Sequence, residues 1–366
     1  MPIKLSKINK HHNIYADYIE PSALEQFINV MNDDRIIQGA LMPDVHTGYT
    51  LPIGGVIASN DWVFPAFVGY DIGCGVLTCN LGKLNRTFNI EDRNSILEII
   101  PVGFNNQNNP IEKFKISNIF NNATKFAKDE FKKSTNQLGT LGSGNHFIEL
   151  GVDVNDNLYC TIHSGSRNFG HTIASHYMAL AANSDKPKEG IFGFNVNSEN
   201  GKNYINDLLL AQEFALINRL TMLELICDLF KLTKVDEIIN RNHNHAELKD
   251  NMWVHRKGAT HAEKGMLGVI PGNMRDGVYI VEGLGNPDSL YSSSHGAGRK
   301  LSRSKAKVNI DINEFKSTMG NIIAKVDEGS LDESPMAYKD FEQVMSQQTD
   351  LCKIIKHIRP ILNVKS

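Results

Sequence analysis

Five histidines of the 366-residue chain lie in short segments that combine polar residues with strand-like apolar runs. They are His46 in MPDVHTGYTLPIGG, His146 in GSGNHFIEL, His163 in IHSGSRNFGH, His243 in NRNHNHAEL and His295 in SHGAGR, and four of them have a glycine within three residues. A single histidine in such a segment is more often a hydrogen-bonded polar residue than a ligand. Several together indicate a functional site, because burying polar loops is costly unless they serve one.

A carboxylate and a thiol stand three residues apart in GYDIGCGV, at Asp71 and Cys74. The neighbouring glycines allow a turn that points both side chains at one centre. Alone the pair is weak evidence, because Cys74 could be a small buried apolar residue. With the histidines it gives a mixed oxygen, sulfur and nitrogen ligand set, unlike the usual structural zinc sites. Such a set suits manganese, iron, cobalt or zinc and does not choose among them.

His295 begins a segment with an unusual composition, since SHGAGRKLSRSKAK adds two glycines and a basic cluster. Imidazole can act as a general base, a metal ligand or a covalent nucleophile. The glycines would let a phosphate approach the backbone, and oligonucleotide or polyphosphate could bind the cluster of Arg299, Lys300, Arg303, Lys305 and Lys307. The alternative interpretation is a solvated basic loop. The chain has no P-loop, dinucleotide-binding fingerprint, nucleophile elbow or H-E-x-x-H motif.

The elements that must position these residues alternate along the chain. Residues 1–90 read as short strands with tight turns, and 91–135 as helices interrupted by the polar insert VGFNNQNNPIEKF. Glycine-rich strands follow, and then a helical segment over about 171–240. GVIPGNMRDGVYIVEGLG predicts a strand pair, and residues 310–366 predict helices that end in a short strand, RPILNVK. We therefore expect an α+β fold, with packed central β-sheets surrounded by helices in one compact domain over residues 1–366.

Composition limits the cellular setting. A formal net charge of -3 does not exclude a nucleic-acid partner, because a local basic groove would suffice. No apolar run approaches the roughly 20 residues of a membrane span, and the N-terminal residues lack the apolar core of a signal peptide. Five widely spaced cysteines do not form a disulfide framework. We expect a cytoplasmic protein that makes no membrane contact and is a monomer.

Taken together, the motifs resemble the RNA-splicing ligase RtcB family, GTP- and manganese-dependent ligases that join RNA ends. The matching segments cover nearly the whole chain in the family's order: MPDVHTGYTLPIGGV, GYDIGCGV, LGTLGSGNHFIEL, IHSGSRNFGH, HNHAE, VHRKGAT, IPGNMRDGVYIVEGLGN, SHGAGRKLSRSKA, DESPMAYKD and IRPILNVKS. Each segment alone is a weak signal, and their common order makes a strong one.

The resemblance implies two manganese ions that share Cys74. One ion would be bound by Asp71, Cys74 and His146, and the other by Cys74, His163 and His243. It also implies that His295 is guanylylated by GTP. The implied guanylate pocket consists of Asn145, Glu149, Asn244, Pro271, Gly272, Asn273, Met274, Gly296, Ala297, Gly298, Tyr338 and Lys365.

The implied reaction joins RNA ends that carry a 2′,3′-cyclic phosphate or 3′-phosphate to 5′-hydroxyl ends, in tRNA splicing or RNA repair. Arg167 and Lys257 match basic positions expected near RNA phosphates, and an archease-type activator is an implied partner. The alternative enzyme is a two-metal RNA end-processing phosphodiesterase without nucleotidyl transfer, which would not need a covalent His295. A non-catalytic RNA-binding factor is a third interpretation, against which the intact ligand set argues.

The chain also departs from the family pattern. It is shorter than many members, and Val278 stands where members often carry a serine after the PG-x-M turn. A hydroxyl contact to the nucleotide would then be missing, although Arg275 and Asp276 in the same turn could rebuild the pocket. These departures suggest a divergent branch, with RNA repair as its role.

Overall fold

A computed structural model describes residues 3–111 and 117–366. The end of the polar insert predicted between the helices of 91–135, residues 112–114, lies outside the described residues. The α-helices are Pro21–Met31 (α1), Pro65–Val68 (α2), Ile90–Ile99 (α3), Ile119–Asn122 (α4), Lys125–Lys133 (α5), Arg167–Ala181 (α6), Glu199–Phe230 (α7), Arg303–Asn309 (α8), Ile312–Met319 (α9) and Phe341–Ser346 (α10). Short 3₁₀ turns cover Thr135–Gln137, Pro287–Ser289, Glu328–Glu333 and Pro335–Ala337.

The strands form two large and two small sheets. They are His11–Ile14 (β1), Ile36–His46 (β2), Ile53–Ser59 (β3), Trp62–Val63 (β4), Gly75–Lys83 (β5), Phe147–Val152 (β6), Asn157–Ser164 (β7), Phe194–Asn195 (β8), Ile239–Asn242 (β9), Asn244–Lys249 (β10), Met252–Lys257 (β11), Ala259–His261 (β12), Leu267–Pro271 (β13), Val278–Gly283 (β14), Ser292–Ser294 (β15) and Cys352–Val364 (β16). Helices and a mainly antiparallel sheet arrangement confirm the predicted α+β class.

The larger sheet has seven antiparallel strands in the order β13-β14-β16-β6-β7-β5-β9. The second has five strands in the order β1-β2-β3-β11-β10, and only β1 and β2 run parallel. The chain crosses from one sheet to the other at a single residue, because β9 ends at Asn242 and β10 begins at Asn244. His243 therefore lies where the two sheets meet.

The helix α7 is the longest of the described helices, and it packs on the seven-stranded sheet. Leu223 and Ile226 share an apolar cluster with Ile148 and Ile162 of β6 and β7. Burying each such side chain contributes about 1.5–3 kcal/mol. Within the predicted helical segment of about 171–240, α6 and α7 are separated by β8, and β9 begins before its end. Pro187 lies between the two helices, in a segment that it helps to keep non-helical.

The predicted short C-terminal strand is wrong in length, since β16 has 13 residues. It is a central strand that pairs with both β14 and β6. Pro360 lies inside it, and a proline usually argues against a central strand. The register shifts between Pro360 and Leu362, so a bulge accommodates the missing N–H group.

Two further expectations have structural outcomes. All five cysteines are buried and free. Among the residues that the structure describes, no helix combines the length and apolar character that crossing a bilayer requires. The single-domain organisation and monomeric state stay predictions.

Candidate metal and nucleotide site

The five predicted metal ligands converge at one end of the seven-stranded sheet. Cys74 directly precedes β5, His146 directly precedes β6, His163 is in β7, and His243 follows β9. Asp71 lies in the turn before Cys74, whose N–H donates to the Asp71 carbonyl at 3.1 Å. The turn needs Gly73 at φ +73°, and a Cβ there would lie 2.9 Å from the Gln212 backbone of α7.

The strand register explains this convergence. His163 is directly opposite both Phe147 of β6 and Val76 of β5, and Gly75 is opposite Asn242 of β9. Phe147 follows His146 in sequence, Asn242 precedes His243, and Gly75 follows Cys74. The four strand ends therefore present their donor atoms to a single point.

The distances between donor atoms fit ligands of a common metal centre. The Cys74 Sγ is 3.4 Å from His146 Nε2 and 3.3 Å from His163 Nε2. His163 Nε2 is 3.3 Å from His243 Nε2, and His146 Nε2 is 3.0 Å from Asp71 Oδ2. Ligands at ordinary metal–sulfur and metal–nitrogen bond lengths in tetrahedral geometry are separated by about 3.3–3.6 Å. The donors thus have room for cations between them.

Protonation states support the same interpretation. Burial lowers the pKa of His163 and His243 well below the usual imidazole value, so both rings stay neutral and keep a lone pair. The Nδ1–H groups of His146 and His163 donate to the carbonyls of Leu141 and Asn145, at 3.0 and 3.2 Å. Each of these Nε2 atoms is therefore free to bind a metal.

The thiol and carboxylate complete the donor set. Burial raises the pKa of the Cys74 thiol well above its usual value, so a thiolate there requires a nearby cation. Burial alone would also raise the pKa of Asp71, but the His146 ring, whose Nε2 lies 3.0 Å from Oδ2, lowers that pKa to about 2. A metal ion would take the place of a proton shared between these two atoms. A Cβ at Gly165 would collide with the Asp71 carboxylate, so this position requires glycine. The residues therefore fit a divalent metal centre.

His295 follows β15 and is positioned by a residue that the sequence reasoning did not single out. Asp44 of β2 is fully buried, and its Oδ2 accepts from His295 Nδ1 at 2.6 Å and from the N–H groups of His295 and Gly296. This contact keeps the proton on Nδ1, which leaves the Nε2 lone pair free. The ring lies 4.7 Å from that of His243, between centroids. His295 is half-buried rather than on a flexible exposed loop.

A cavity of about 440 Å³ opens beside His295 and the metal ligand His163. Its volume lies in the usual range for small-molecule sites. Eleven of the twelve residues predicted for the guanylate pocket line it: Asn145, Glu149, Pro271, Gly272, Asn273, Met274, Gly296, Ala297, Gly298, Tyr338 and Lys365. Asn244 is not among the lining residues; its amide donates to the Asp71 carbonyl and accepts from Gly258 N–H. Its nucleotide contact stays a prediction.

Glu149 carries an unsatisfied acceptor at the base of this cavity. It is 2% exposed, and its Oε1 has no hydrogen-bond partner. Burial raises the pKa of its carboxyl group well above the usual value, against the opposing charge of Lys365. A buried carboxyl with a free oxygen is costly unless a ligand supplies donors.

Another carboxylate that the sequence reasoning missed holds three residues that line the cavity. Glu333 accepts from Tyr338 Oη at 2.7 Å and from Arg303 at 2.6 Å, and it also pairs with Lys365. Burial opposes ionisation, yet the charges of Lys365 and Arg303 lower the pKa of Glu333 to about 2. Both Asp44 and Glu333 lie in segments quoted above, MPDVHTG and DESPMAYKD, which is the signal that could have found them.

The basic cluster after His295 is less available than expected. Arg303 pairs with Asp332 and Glu333, and Arg299 donates to the Asp332 carbonyl at 2.5 Å. Lys307 lies 3.6 Å from Asp332. Asp332 and Glu333 of DESPMAYKD therefore neutralise part of the positive charge that the sequence predicted for phosphate binding.

The departures from the family pattern lie outside the cavity. Val278 is fully buried and packs with Phe147 and Val76 in an apolar cluster. Arg275 and Asp276 do not line the cavity, but Asp276 Oδ2 accepts from Asn273 at 2.6 Å. This hydrogen bond fixes the turn that carries Asn273, which lines the cavity.

The two predicted RNA-binding residues flank the metal centre. Arg167 opens α6 with φ +55°, and its guanidinium donates to Thr140 Oγ1 and the Gly103 carbonyl. Lys257 ends β11 and donates to the Ala66 carbonyl at 3.2 Å. Burial lowers the pKa of Lys257 to about 8. Their phosphate contacts stay predictions.

A buried arginine, also missed by the sequence reasoning, ties the ligand strands together. Arg219 of α7 donates to the carbonyls of Gly73 and Ser164 at 2.9 and 2.7 Å, and to the side chains of Asn240 and Asn242 at 2.8 Å. These residues adjoin or lie near Cys74, His163 and His243. Nothing in the apolar periodicity of the helix indicated a charged residue in the core.

A second group of donor atoms is formed by His245, Glu247 and His261. The Arg256 guanidinium lies among them, 3.1 Å from His245 Nε2 and 2.5 Å from Glu247 Oε1. A fixed positive charge at that place disfavours a cation. We therefore interpret this group as an ion-pair network.

Comparisons with known proteins identify the family of this chain. A family model described as tRNA-splicing ligase RtcB matches residues 26–127 and 118–366. The RNA-splicing ligase RtcB of Escherichia coli (strain K12) is 34% identical over 391 positions, which cover 95% of each chain. The tRNA-splicing ligase RtcB of Nanoarchaeum equitans (strain Kin4-M) is 29% identical over 470 positions, with 99% of this chain and 96% of the relative covered. The chain therefore belongs to the RtcB family of tRNA-splicing ligases.

Proposed function

We propose that this protein is an RNA ligase that joins 2′,3′-cyclic phosphate or 3′-phosphate RNA ends to 5′-hydroxyl ends through a guanylylated histidine. The role is tRNA splicing or RNA repair. The observation that carries the proposal is His295, whose Nδ1 is held by buried Asp44 and whose free Nε2 lies beside the metal centre at the cavity wall. Hydrolysis at the same metals would not need this histidine.

In the first step, the Nε2 lone pair of His295 attacks the α-phosphate of GTP. A P–N bond forms, the bond to the β-phosphate oxygen breaks, and pyrophosphate leaves. Asp44 holds the Nδ1 proton and stabilises the positive charge that develops on the ring. Asp71, Cys74, His146, His163 and His243 would hold two manganese ions, which supply charge stabilisation at the phosphates.

Guanine selection is assigned to Glu149 at the base of the cavity. The Watson–Crick edge of guanine offers two adjacent N–H donors, and an ionised carboxyl group offers two acceptors. Adenine lacks that donor pair. Burial raises the pKa of Glu149, so its ionisation depends on the guanine donors together with the charge of Lys365, which lowers that pKa. The free Oε1 is the acceptor that a guanine N–H group would satisfy. GTP is therefore the proposed co-substrate.

The later steps use the RNA ends. Water attacks a 2′,3′-cyclic phosphate and the bond to the 2′-oxygen breaks, which gives a 3′-phosphate and a free 2′-hydroxyl. An oxygen of the 3′-phosphate then attacks the phosphorus of the guanylylated histidine, the P–N bond breaks, and the RNA end takes up GMP. The 5′-hydroxyl of the second RNA then attacks the activated 3′-phosphate, a phosphodiester forms, and GMP leaves. Arg167 and Lys257 are proposed to bind the RNA phosphates. Cytoplasmic location and an archease-type activator belong to the same proposal.

The test is covalent labelling with α-labelled GTP and Mn²⁺, followed by a denaturing gel. We expect label on the wild type and on a His11→Ala control, which removes an exposed histidine distant in sequence from His295. His295→Ala should carry none. If metal-loaded wild type stays unlabelled even with an archease-type activator, the ligase proposal fails and an end-processing phosphodiesterase is favoured.

A further inference from the structure

Three aromatic rings lie next to one another on the surface beside the candidate site. Tyr70 stacks on His171 of α6, with ring centroids 4.9 Å apart and an angle of 19° between planes. Tyr49 meets Tyr70 edge-on at 6.3 Å. Tyr49 is 63% exposed and His171 is exposed as well. We call these three residues the aromatic platform.

Core packing accounts for the half-buried Tyr70, which packs against the main apolar cluster, but not for Tyr49 and His171. The buried face of α6 is made by other residues, among them Phe169 and Ile173, which join the main apolar cluster. The exposed rings of Tyr49 and His171 contribute little to that cluster. Aromatic surface left in water next to a cavity is typical of a binding site.

The platform is continuous with the metal centre on one side. Tyr70 immediately precedes Asp71, and Tyr49 lies in the loop between β2 and β3. Thr47 and Ile53, at the two ends of that loop, line the cavity beside His295. A ligand with one end on the platform can therefore reach the metal centre with the other.

Lys257 places a cation beside the platform, next in sequence to a residue that approaches His295. The Lys257 Nζ lies 5.6 Å from the centre of the Tyr49 ring. The next residue, Gly258, approaches the nucleophile so closely that a Cβ there would lie 3.1 Å from His295 Cε1. Stacking rings with a cation between them and the reacting centre match a nucleobase followed by its phosphate.

We propose that Tyr49, Tyr70 and His171 stack the nucleobase of the RNA end whose phosphate enters the metal centre. This inference rests on the RNA-ligase function proposed above. The platform has no donor and acceptor pattern specific for one base, so stacking tolerates any sequence at the junction. It makes the three residues binding residues for RNA, separate from the guanylate cavity.

The test uses RNA whose 3′-phosphorylated terminal nucleotide carries 2-aminopurine, a base whose fluorescence is quenched by stacking. We expect quenching on binding to wild type, to Tyr70→Phe and to the control His176→Ala, which removes another exposed histidine of α6. Tyr49→Ala and His171→Ala should lose most of the quenching. Equal quenching in all five proteins would overturn the proposal.

Ligation kinetics with enzyme guanylylated beforehand give a second readout. The KM for RNA should rise roughly tenfold in Tyr49→Ala and His171→Ala, with a smaller change in kcat. RNA with an abasic terminal nucleotide should lose affinity for wild type but not for these variants. If the abasic RNA binds wild type as well as ordinary RNA does, no base is stacked. Absence of GMP labelling would instead refute the ligase function. The quenching result would still show whether the platform stacks a base.

Discussion

At the scale of single residues, the contact between Asp44 and His295 decides which ring nitrogen can act. Replacing Asp44 by asparagine keeps the shape but can present an N–H group to Nδ1, which favours the tautomer with its proton on Nε2. We expect the guanylylation rate to fall by about a hundredfold or more, as when an orienting carboxylate is lost from a catalytic triad. Labelling time courses measure it, with Asp61→Asn as an exposed control. A variant that keeps its metal and labels at the wild-type rate would contradict the assignment.

Glu149 makes a separate prediction about nucleotide choice. Glu149→Gln retains the volume but replaces one acceptor with a donor, which faces a guanine N–H group. The KM for GTP should rise about tenfold or more, and the preference for GTP over ATP should shrink. Competition labelling with both nucleotides measures this ratio. The exposed Glu25→Gln serves as control, and an unchanged ratio in Glu149→Gln would place guanine elsewhere.

Lys257 predicts a pH dependence of RNA binding. Burial lowers its pKa to about 8, so the ammonium is mainly charged at pH 7 and mainly neutral at pH 9. Attraction for RNA phosphate is present below this pKa and is lost as the pH rises through it. With enzyme guanylylated beforehand, the KM for RNA should therefore increase between pH 7 and 9. Lys257→Arg keeps its charge, so its profile should be flat; parallel profiles for both proteins would exclude Lys257.

At the scale of elements, many strands could be predicted because their patterns are local, whereas the metal ligands were implied by the family resemblance and stay predictions. The strand pair around PGNM and the amphipathic α7 follow from periodicity, and each metal ligand lies in its own short motif. The motif MPDVHTG contains Asp44, but its pairing with His295 could not be predicted, because the two residues are 251 positions apart and Asp44 lies in an irregular part of β2. The full length of β16 could not be predicted because Pro360 usually argues against a central strand. The bulge that accommodates this proline forms only in the folded sheet.

Arg219 shows how one helix supports the metal centre. It is fully buried, and burial lowers its pKa to about 10, yet its four hydrogen bonds join three strand ends. Arg219→Met should free those ends and cost about 3–5 kcal/mol, as loss of one partner from a buried charged network does. Manganese affinity should fall more than in Lys202→Met, an exposed change on the same helix. Metal analysis with circular dichroism checks both, and full metal content in a folded Arg219→Met would refute this role.

At the scale of the whole molecule, the site lies between the two large sheets. The seven-stranded sheet supplies Cys74, His146 and His163, while the five-stranded sheet supplies Asp44 and Lys257. His243 lies at the crossing between them. Metal binding should therefore couple the two sheets, since the ligands come together only in the folded chain.

This coupling predicts that manganese stabilises the entire protein in one cooperative transition. A ligand bound only by the folded state adds about 2.7 kcal/mol at a concentration 100 times its Kd. The unfolding temperature should thus be higher with Mn²⁺ than with EDTA, both for wild type and for the control Cys352→Ala, whose thiol lies in an apolar cluster. Cys74→Ser should lose most of that difference. The stabilisation by Mn²⁺ is measured relative to EDTA within each variant, so destabilisation by the substitution itself does not affect the comparison. Two separate transitions, with manganese shifting only one, would show that the sheets unfold independently and that the single-domain prediction is wrong.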